Sequence, residues 1–348
     1  MKAIVFLDPQ KVAVEEIDDP RIEHPADAIV QVESAGLCGS DLHVYYGRET
    51  GIDVPTALGH EFVGRVVEVG PDVKEFSIGD RVSAPFTTNC GNCFYCLTGL
   101  TCRCEHGQLF GWRQAGIGLH GGQAQFVRVP MADATLVSVG NLSSDLAILF
   151  GDNLSTGFFC ADLAGISPGG VYVVIGCGAV GLISVLAALE KGAKQVFAVD
   201  MLRHRREHAI AFGATQASDP CEIKDLVLSA SQGRGADAVL ELVGLPDAQQ
   251  LAFDLLRPGG TIATIGCHCE RHFAFSPVQA YDKNLTYRTG RCPARFYMDQ
   301  LKESTCQGKF DRLKSLVSHR FQLQDGVRAY DVFANRQDNC LKAVLDFG

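Results

Sequence analysis

The run from Val171 to Gly181 constrains the fold more than any other stretch of this 348-residue chain. A strand-like segment rich in Val and Ile leads into glycines spaced as G-x-G-x-x-G, at Gly176, Gly178 and Gly181. The first glycine allows a tight turn, the second lets backbone approach a pyrophosphate, and the third lets the next helix pack on the strand. Val180 lies in the first turn of that helix, whose free N–H groups favour an anion. The pattern predicts a dinucleotide-binding site.

An acidic residue at the end of the next predicted strand, Asp200, predicts which dinucleotide binds. A carboxylate there accepts hydrogen bonds from ribose hydroxyls and repels a 2′-phosphate, which favours NAD over NADP. Arginines at 203, 205 and 206 leave NADP open as an alternative, since a guanidinium can bind its 2′-phosphate.

From about Gly169 the chain alternates between predicted strands and helices, which is typical of a doubly wound α/β domain. The strands are predicted at 171–175, 195–200, 238–243 and 261–266. The first half instead contains short β-type runs, at 28–32, 62–69 and 81–84. A helix near 296–303 and the run 340–347 are expected to return to this β-rich domain. The uncharged segment 169–189 is divided by its glycines into strand, turn and buried helix, so no membrane span is expected.

Charge and cysteine content limit the classes of partner. A net charge of −9 and a pI near 5.6 argue against binding to nucleic acid or an anionic membrane. Fourteen cysteines, with no recognisable secretion signal, indicate a reducing compartment and a cytoplasmic protein. A small-molecule substrate is the expected partner.

A loop of closely spaced cysteines, C-x2-C-x2-C-x7-C, predicts a structural zinc site at Cys90, Cys93, Cys96 and Cys104. Four thiolates complete the tetrahedron and leave no position for substrate, so this ion is expected to hold the lobe at about residues 88–106 together. Cys102 is an alternative fourth ligand, although the spacing favours Cys104.

A second zinc site is predicted from Cys38 and His60, which precede the cysteine loop. A thiolate, an imidazole and a carboxylate leave one position of zinc open, as a catalytic ion requires. Asp152 is the preferred third ligand, and Glu61 is the local alternative.

These residues resemble the zinc-dependent medium-chain alcohol dehydrogenases over essentially the whole chain. The motifs that carry the resemblance are Gly59-His60-Glu61, the GDRV run at 79–82, the cysteine lobe and the glycine motif. The pattern is most similar to bacterial secondary-alcohol and formaldehyde-dehydrogenase-like members. The resemblance implies an α/β fold with a GroES-like β-rich catalytic domain at 1–153 and 291–348, and a Rossmann domain, a doubly wound parallel sheet, at 154–290.

The resemblance also implies roles for individual residues. The alcohol oxygen would bind zinc, which lowers the hydroxyl pKa, and hydride would then leave carbon for NAD. Ser40 would hydrogen-bond the substrate oxygen and pass its proton towards His43. Glu61 would lie beside the zinc, and Asp41 would support a ligand imidazole. The remaining implied roles are a nicotinamide contact for Thr156, a cofactor-phosphate contact for Lys342 and a substrate-pocket wall for Trp112.

Two other functions fit the same residues. A polyol or threonine dehydrogenase would use the same zinc and NAD on a more polar substrate. A non-catalytic nucleotide-binding member is less favoured, because Cys38, His60, Asp152, Ser40 and His43 are all present. The resemblance further implies a homo-oligomer, with a tetramer favoured over a dimer.

Overall fold

The computed structural model describes all residues from 1 to 348, and these form two compact units. One unit comprises Met1–Ser155 together with Pro293–Gly348, and the other comprises Thr156–Cys292. Both breaks lie two residues beyond the boundaries predicted from the sequence.

The strands, in chain order, are β1 (Lys2–Asp8), β2 (Lys11–Glu16), β3 (Ala28–Gly36), β4 (Thr56–Ala57), β5 (Phe62–Val69), β6 (Arg81–Ser83), β7 (Trp112–Gln114), β8 (Ile117–Leu119), β9 (Phe126–Val129), β10 (Val137–Ser138), β11 (Val171–Ile175), β12 (Gln195–Val199), β13 (Gln216–Ser218), β14 (Ala236–Glu241), β15 (Leu256–Thr264), β16 (Thr286–Thr289), β17 (His319–Gln322) and β18 (Ala343–Asp346). The α-helices are α1 (Asp41–Tyr45), α2 (Phe94–Leu97), α3 (Ala132–Thr135), α4 (Ser144–Leu149), α5 (Ser155–Ala164), α6 (Ala179–Glu190), α7 (Arg203–Ala211), α8 (Ile223–Ala230), α9 (Pro246–Leu255), α10 (Pro277–Asp282), α11 (Ala294–Cys306) and α12 (Gly326–Ala334).

The first unit is built on a seven-stranded sheet of order β10-β6-β5-β3-β18-β17, with β9 also paired to β3. The strands β5 and β18 both run antiparallel to β3, so their first residues lie beside the last residues of β3. A smaller sheet of order β2-β1-β4 and the hairpin β7-β8 complete the unit. This β-rich architecture agrees with the expected GroES-like domain, and the predicted return of residues 340–347 is observed as strand β18.

The second unit contains a six-stranded, fully parallel sheet of order β13-β12-β11-β14-β15-β16. Every residue of the central strand β11 is buried, as expected for a strand covered on both faces. Val173, Val239 and Ile262 are fully buried in its core, each burial contributing about 1.5–3 kcal/mol. The strand order reverses between β11 and β14, which is where such sheets bind ligands.

The uncharged segment 169–189 is divided into β11 and α6, as predicted. None of the helices has both the length and the apolar character needed to span a bilayer.

Candidate metal centres and dinucleotide site

The register of the large sheet brings four possible metal ligands together, and we call Cys38, His60, Glu61 and Asp152 the Cys38 cluster. Their ligand atoms all lie within 4.8 Å of one another. Cys38 follows the end of β3 and Glu61 precedes the start of β5, the neighbouring antiparallel strand. The backbone N–H of Gly36 donates to the carbonyl of Glu61 at 2.9 Å and fixes this approach.

Asp152 reaches the cluster from a π-helical turn, Phe150–Leu154, inserted between α4 and α5. All five residues of the turn are buried. Such turns change the direction of a side chain within an otherwise regular helix and often occur at functional sites. The turn therefore supplies a buried carboxylate that a continuous α-helix would present in another direction.

The distances within the cluster fit a single zinc ion. The Asp152 Oδ2 atom lies 3.5 Å from Cys38 Sγ and 3.6 Å from His60 Nε2. Ligand bonds of roughly 2.0–2.3 Å at tetrahedral angles separate two ligand atoms by about 3.4–3.6 Å. A thiolate, an imidazole and one carboxylate are also a donor set that zinc accepts with its fourth position open.

The electrostatics of the cluster also favour a cation. Burial, followed by the carboxylates of Glu61 and Asp152, raises the pKa of the Cys38 thiol. Burial opposes the charge on His60, but the Asp41 carboxylate and hydrogen bonds to Asp152 and Asp41 hold the pKa of its imidazole well above its usual value. The raised pKa values favour a proton on the Cys38 thiol and on the His60 imidazole. Zinc binds the thiolate and the neutral imidazole, so the charge of the ion would replace these two protons.

Asp41 fixes the ring of His60. Its Oδ1 atom lies 3.1 Å from His60 Nδ1, which leaves Nε2 facing the cluster. Its Oδ2 atom accepts from the Cys38 backbone N–H at 2.9 Å and from Gln123 Nε2 at 3.4 Å, and Tyr330 donates to Gln123 Oε1 at 2.8 Å. Asp41 therefore contacts the imidazole of His60, together with two residues that the sequence did not indicate, Gln123 and Tyr330. The support of a zinc ligand by Asp41 stays a prediction.

Both oxygens of Glu61 have other partners. Its Oε1 atom accepts from Asn153 Nδ2 at 2.7 Å, and its Oε2 atom accepts from Lys342 Nζ. Asp152, by contrast, faces both Cys38 and His60. The geometry therefore favours Asp152 over Glu61 as the third ligand.

The structure places Lys342 in a buried ion pair, and its expected contact with the cofactor phosphates stays a prediction. The Lys342 side chain is only 2% exposed and forms an ion pair with the fully buried Glu61. The residue precedes β18, beside the end of β3, which directs it into the protein. Burial opposes its charge, but the carboxylate of Glu61 and the Cys38 sulfur raise the pKa of Lys342. It is the buried counter-ion of Glu61.

The other predicted residues near the cluster lie in the first unit. Ser40 precedes α1, and its Oγ atom lies 3.3 Å from His60 Nε2, the ring nitrogen that faces the Cys38 cluster. His43 is a buried residue of α1. Trp112 lies in the hairpin β7-β8 and packs against the core cluster that includes Leu58 and Tyr330. The roles of His43 and Trp112 stay predictions.

The cysteine lobe forms a second cluster. The sulfur atoms of Cys90, Cys93, Cys96 and Cys104 all lie within 4.8 Å of one another, as a four-thiolate zinc site requires. Cys102, the alternative fourth ligand, is outside this group. Backbone hydrogen bonds, the one involving Glu105 first, lower the pKa of Cys93 to about 6, whereas burial raises the pKa of Cys96 to about 12.

The glycine motif has the backbone that a dinucleotide requires. Gly176 has a φ of +95°, and a Cβ at Gly181 would lie 1.8 Å from the Gly176 carbonyl oxygen, so both positions need glycine. A Cβ at Gly178 would meet open space, and no side chain caps the N-terminus of α6 there. The backbone N–H groups of the first turn of α6, which contains Val180, are therefore available to a pyrophosphate. Thr156, in α5, is the first residue of this unit.

Asp200 is held at the end of β12. Its Oδ2 atom accepts from the Cys177 backbone N–H and its Oδ1 atom from that of Leu202, both at 2.9 Å. Arg206 donates to the backbone carbonyls of Asp200 and Met201, and Arg205 lies 3.9 Å from the Asp200 carboxylate. The carboxylate is thus fixed against the glycine turn.

Comparisons with known proteins agree with this arrangement. Residues 24–139 match the alcohol dehydrogenase GroES-like domain, and residues 179–301 match the zinc-binding dehydrogenase domain. Zinc-type alcohol dehydrogenase B of Aspergillus flavus is 40% identical, covering 96% of this chain and 78% of its own. The structure of alcohol dehydrogenase TADH from Thermus sp. ATN1 superposes with a TM-score of 0.91 at 36% identity, covering 99% of both chains. A putative zinc-binding dehydrogenase from Sinorhizobium meliloti bound to NADP superposes with a TM-score of 0.82 at 25% identity, again over 99% of both chains.

The chain belongs to the zinc-dependent medium-chain alcohol dehydrogenase family. It is therefore a zinc-dependent oxidoreductase that acts on a small alcohol or carbonyl compound with a nicotinamide cofactor, as the sequence predicted.

Replacing Asp41 by Asn is expected to weaken zinc binding at the Cys38 cluster by about 10–100-fold, because the amide is a poorer acceptor for the ligand imidazole. Competition with a chelator measures this affinity. Asp53→Asn is the matched control, since Asp53 also accepts backbone hydrogen bonds in the same unit but lies outside the cluster. Equal zinc affinities for the two variants would remove Asp41 from this role.

Proposed function

We propose that the chain oxidises small alcohols, and reduces the matching carbonyl compounds, with NAD as the hydride acceptor and one catalytic and one structural zinc in each subunit. The observation that carries this proposal is the placement of Cys38, His60 and Asp152 around one point, while both oxygens of Glu61 accept hydrogen bonds from Asn153 and Lys342. In this proposal those three residues hold the catalytic ion, and the four lobe cysteines hold the structural ion.

Zinc bound there would act as a Lewis acid on the substrate oxygen. The protein's own groups would orient the substrate and carry its proton. Ser40 Oγ, 3.3 Å from His60 Nε2, is placed to accept the hydroxyl proton, and His43, three residues later on α1, is proposed as the next acceptor. Asp41 keeps His60 Nε2 directed at the ion, because it occupies Nδ1.

A substrate panel tests the reaction. Zinc-loaded protein should form NADH from at least one of four groups: primary alcohols, secondary alcohols, polyols with L-threonine, and the hydrated or thiol-conjugated forms of formaldehyde. Ser40→Ala should lower kcat by about 10²–10⁴-fold with zinc content unchanged, because a proton acceptor is lost. Failure of zinc-loaded protein to oxidise any member of the panel would contradict the proposal.

We propose NAD over NADP because Asp200 is fixed by Cys177 and Leu202 at the end of β12, while Arg206 is bound to main-chain carbonyls. A 2′-phosphate would meet this partly buried carboxylate, a repulsion that an NADP site has to avoid.

Asp200→Ser should raise the KM for NAD by about tenfold or more and improve the relative use of NADP, since the ribose acceptor and the repelling charge both disappear. Steady-state kinetics with both cofactors measures the change. The control is Asp219→Ser in the same unit, where the carboxylate accepts local hydrogen bonds from the Cys221 and Glu222 amides. An unchanged cofactor preference in Asp200→Ser would overturn the assignment.

We also propose a homo-oligomer, a tetramer rather than a dimer, in a reducing compartment such as the cytoplasm. All fourteen cysteines are unbridged, which supports the reducing environment. Sedimentation equilibrium would measure the number of subunits.

A further inference from the structure

We propose that Cys267 and Cys269 form a third cation site, one that binds a thiophilic divalent ion such as Zn²⁺ or Cd²⁺ reversibly. Both residues are exposed and unbridged, and they lie in the segment that follows β15. Their sulfur atoms lie within 4.8 Å of each other. Neither residue is a member of the Cys38 cluster or of the cysteine lobe.

The separation of the two sulfur atoms, at most 4.8 Å, is compatible with a shared cation. Two thiolates on one zinc at about 2.3 Å are about 3.8 Å apart at the tetrahedral angle. The two cysteines do not form a disulfide, which would hold the sulfur atoms about 2.0 Å apart. Two thiolate ligands from this segment can therefore hold one cation, and water can complete its coordination.

The residue between the two cysteines anchors the segment. His268 Nε2 lies 2.9 Å from Oε2 of Glu241, whose side chain is fully buried at the end of β14. Glu241 Oε1 in turn accepts from the backbone N–H groups of Val243 and Gly244, at 2.7 and 2.8 Å. Anchoring the central residue restricts its two neighbours, which lowers the entropy lost when both bind one ion.

The segment is packed against the loop that follows β14. A Cβ at Gly244 would lie 2.4 Å from the Cys267 carbonyl oxygen, and one at Gly266 would lie 2.4 Å from the Gly244 nitrogen. The strand β14 borders the reversal of strand order next to β11. Since dinucleotides bind at the carboxyl ends of strands at this point, an ion on Cys267 and Cys269 is expected to weaken cofactor binding.

Cadmium titration of the zinc-loaded, full-length protein tests the site. Bound Cd²⁺ and retained Zn²⁺ are counted by elemental mass spectrometry, and thiolate-to-cadmium absorption is followed in the ultraviolet. Wild-type protein should bind one more equivalent of Cd²⁺ than Cys267→Ser/Cys269→Ser, without losing zinc. The control Cys221→Ser/Cys306→Ser removes two other exposed thiols and should behave as wild type. Equal Cd²⁺ binding by wild type and Cys267→Ser/Cys269→Ser would overturn the proposal.

The coupling to the cofactor rests on the proposed nicotinamide function and has its own test. The Kd for NADH should rise at least about fivefold when Cd²⁺ is bound to the wild type, and not in Cys267→Ser/Cys269→Ser. An unchanged Kd with the extra ion bound would refute the coupling. Absence of NADH binding without cadmium would instead contradict the proposed function, and the Cd²⁺ count would still decide the site.

Discussion

Cys38→Ala should lower kcat/KM by at least about a thousandfold, because several kcal/mol of Lewis-acid stabilisation are lost and each ~1.4 kcal/mol is a factor of ten. Without the thiolate, two ligands of the Cys38 cluster remain, and zinc should fall from two equivalents per subunit to one. The remaining ion should be the one in the cysteine lobe. Elemental analysis combined with steady-state kinetics measures both effects in the same preparation.

Cys102→Ala is the matched control for this experiment. It also removes a thiol from the first unit. Cys102 is buried, but it belongs neither to the Cys38 cluster nor to the cysteine lobe cluster. It should keep both zinc ions and nearly all activity. Full turnover by Cys38→Ala, or loss of the lobe zinc in Cys102→Ala, would show that the ligands are assigned wrongly.

The second large effect concerns stability. Lys342→Met removes the ammonium group that pairs with Glu61 and leaves a fully buried carboxylate with Asn153 as its other partner. Breaking one side of a buried ion pair costs about 3–5 kcal/mol, because the remaining charge is not compensated. The first unit should therefore unfold at a lower denaturant concentration.

The chain offers a clean measurement, because its one tryptophan, Trp112, lies in the first unit. Its fluorescence during urea unfolding reports that unit. Lys309→Met, at a more exposed lysine, is the control for loss of a positive charge. The double variant Glu61→Leu/Lys342→Met should recover most of the lost stability, because neither charge is then buried alone. Similar stability of Lys342→Met and Lys309→Met would contradict the role of the pair.

The sequence predicted the parts of the structure that depend on local chemistry. The glycine motif and the alternating apolar runs predicted the parallel sheet, and the observed strands β11, β12, β14 and β15 overlap the predicted ones. The spacing of the lobe cysteines predicted a cluster because those ligands are close in the chain as well as in space.

Two contacts that the sequence did not predict are brought about by long-range register. Gln123 contacts Asp41, which is 82 positions away in the sequence, and Lys342 contacts Glu61, which is 281 positions away. Neither belongs to a local pattern. The antiparallel alignment of β3 with β5 and β18 decides which residues meet at its end, and a lone lysine before a short strand carries no signal of that alignment. Asn153 could have been suspected from its place beside Asp152.

The pairing of β18 with β3 also has a consequence for how the protein is made. Ser34 donates to Asp346, 312 positions later, so the large sheet cannot close until Asp346 has left the ribosome. The parallel-sheet unit, complete at Cys292, can fold earlier during translation. Until the last strand arrives, Cys38, His60 and Glu61 are without Lys342 and the final strand of their sheet. Metal loading of the Cys38 cluster is therefore expected to follow synthesis, and a ribosome stalled before residue 342 should carry a nascent chain unable to hold that ion.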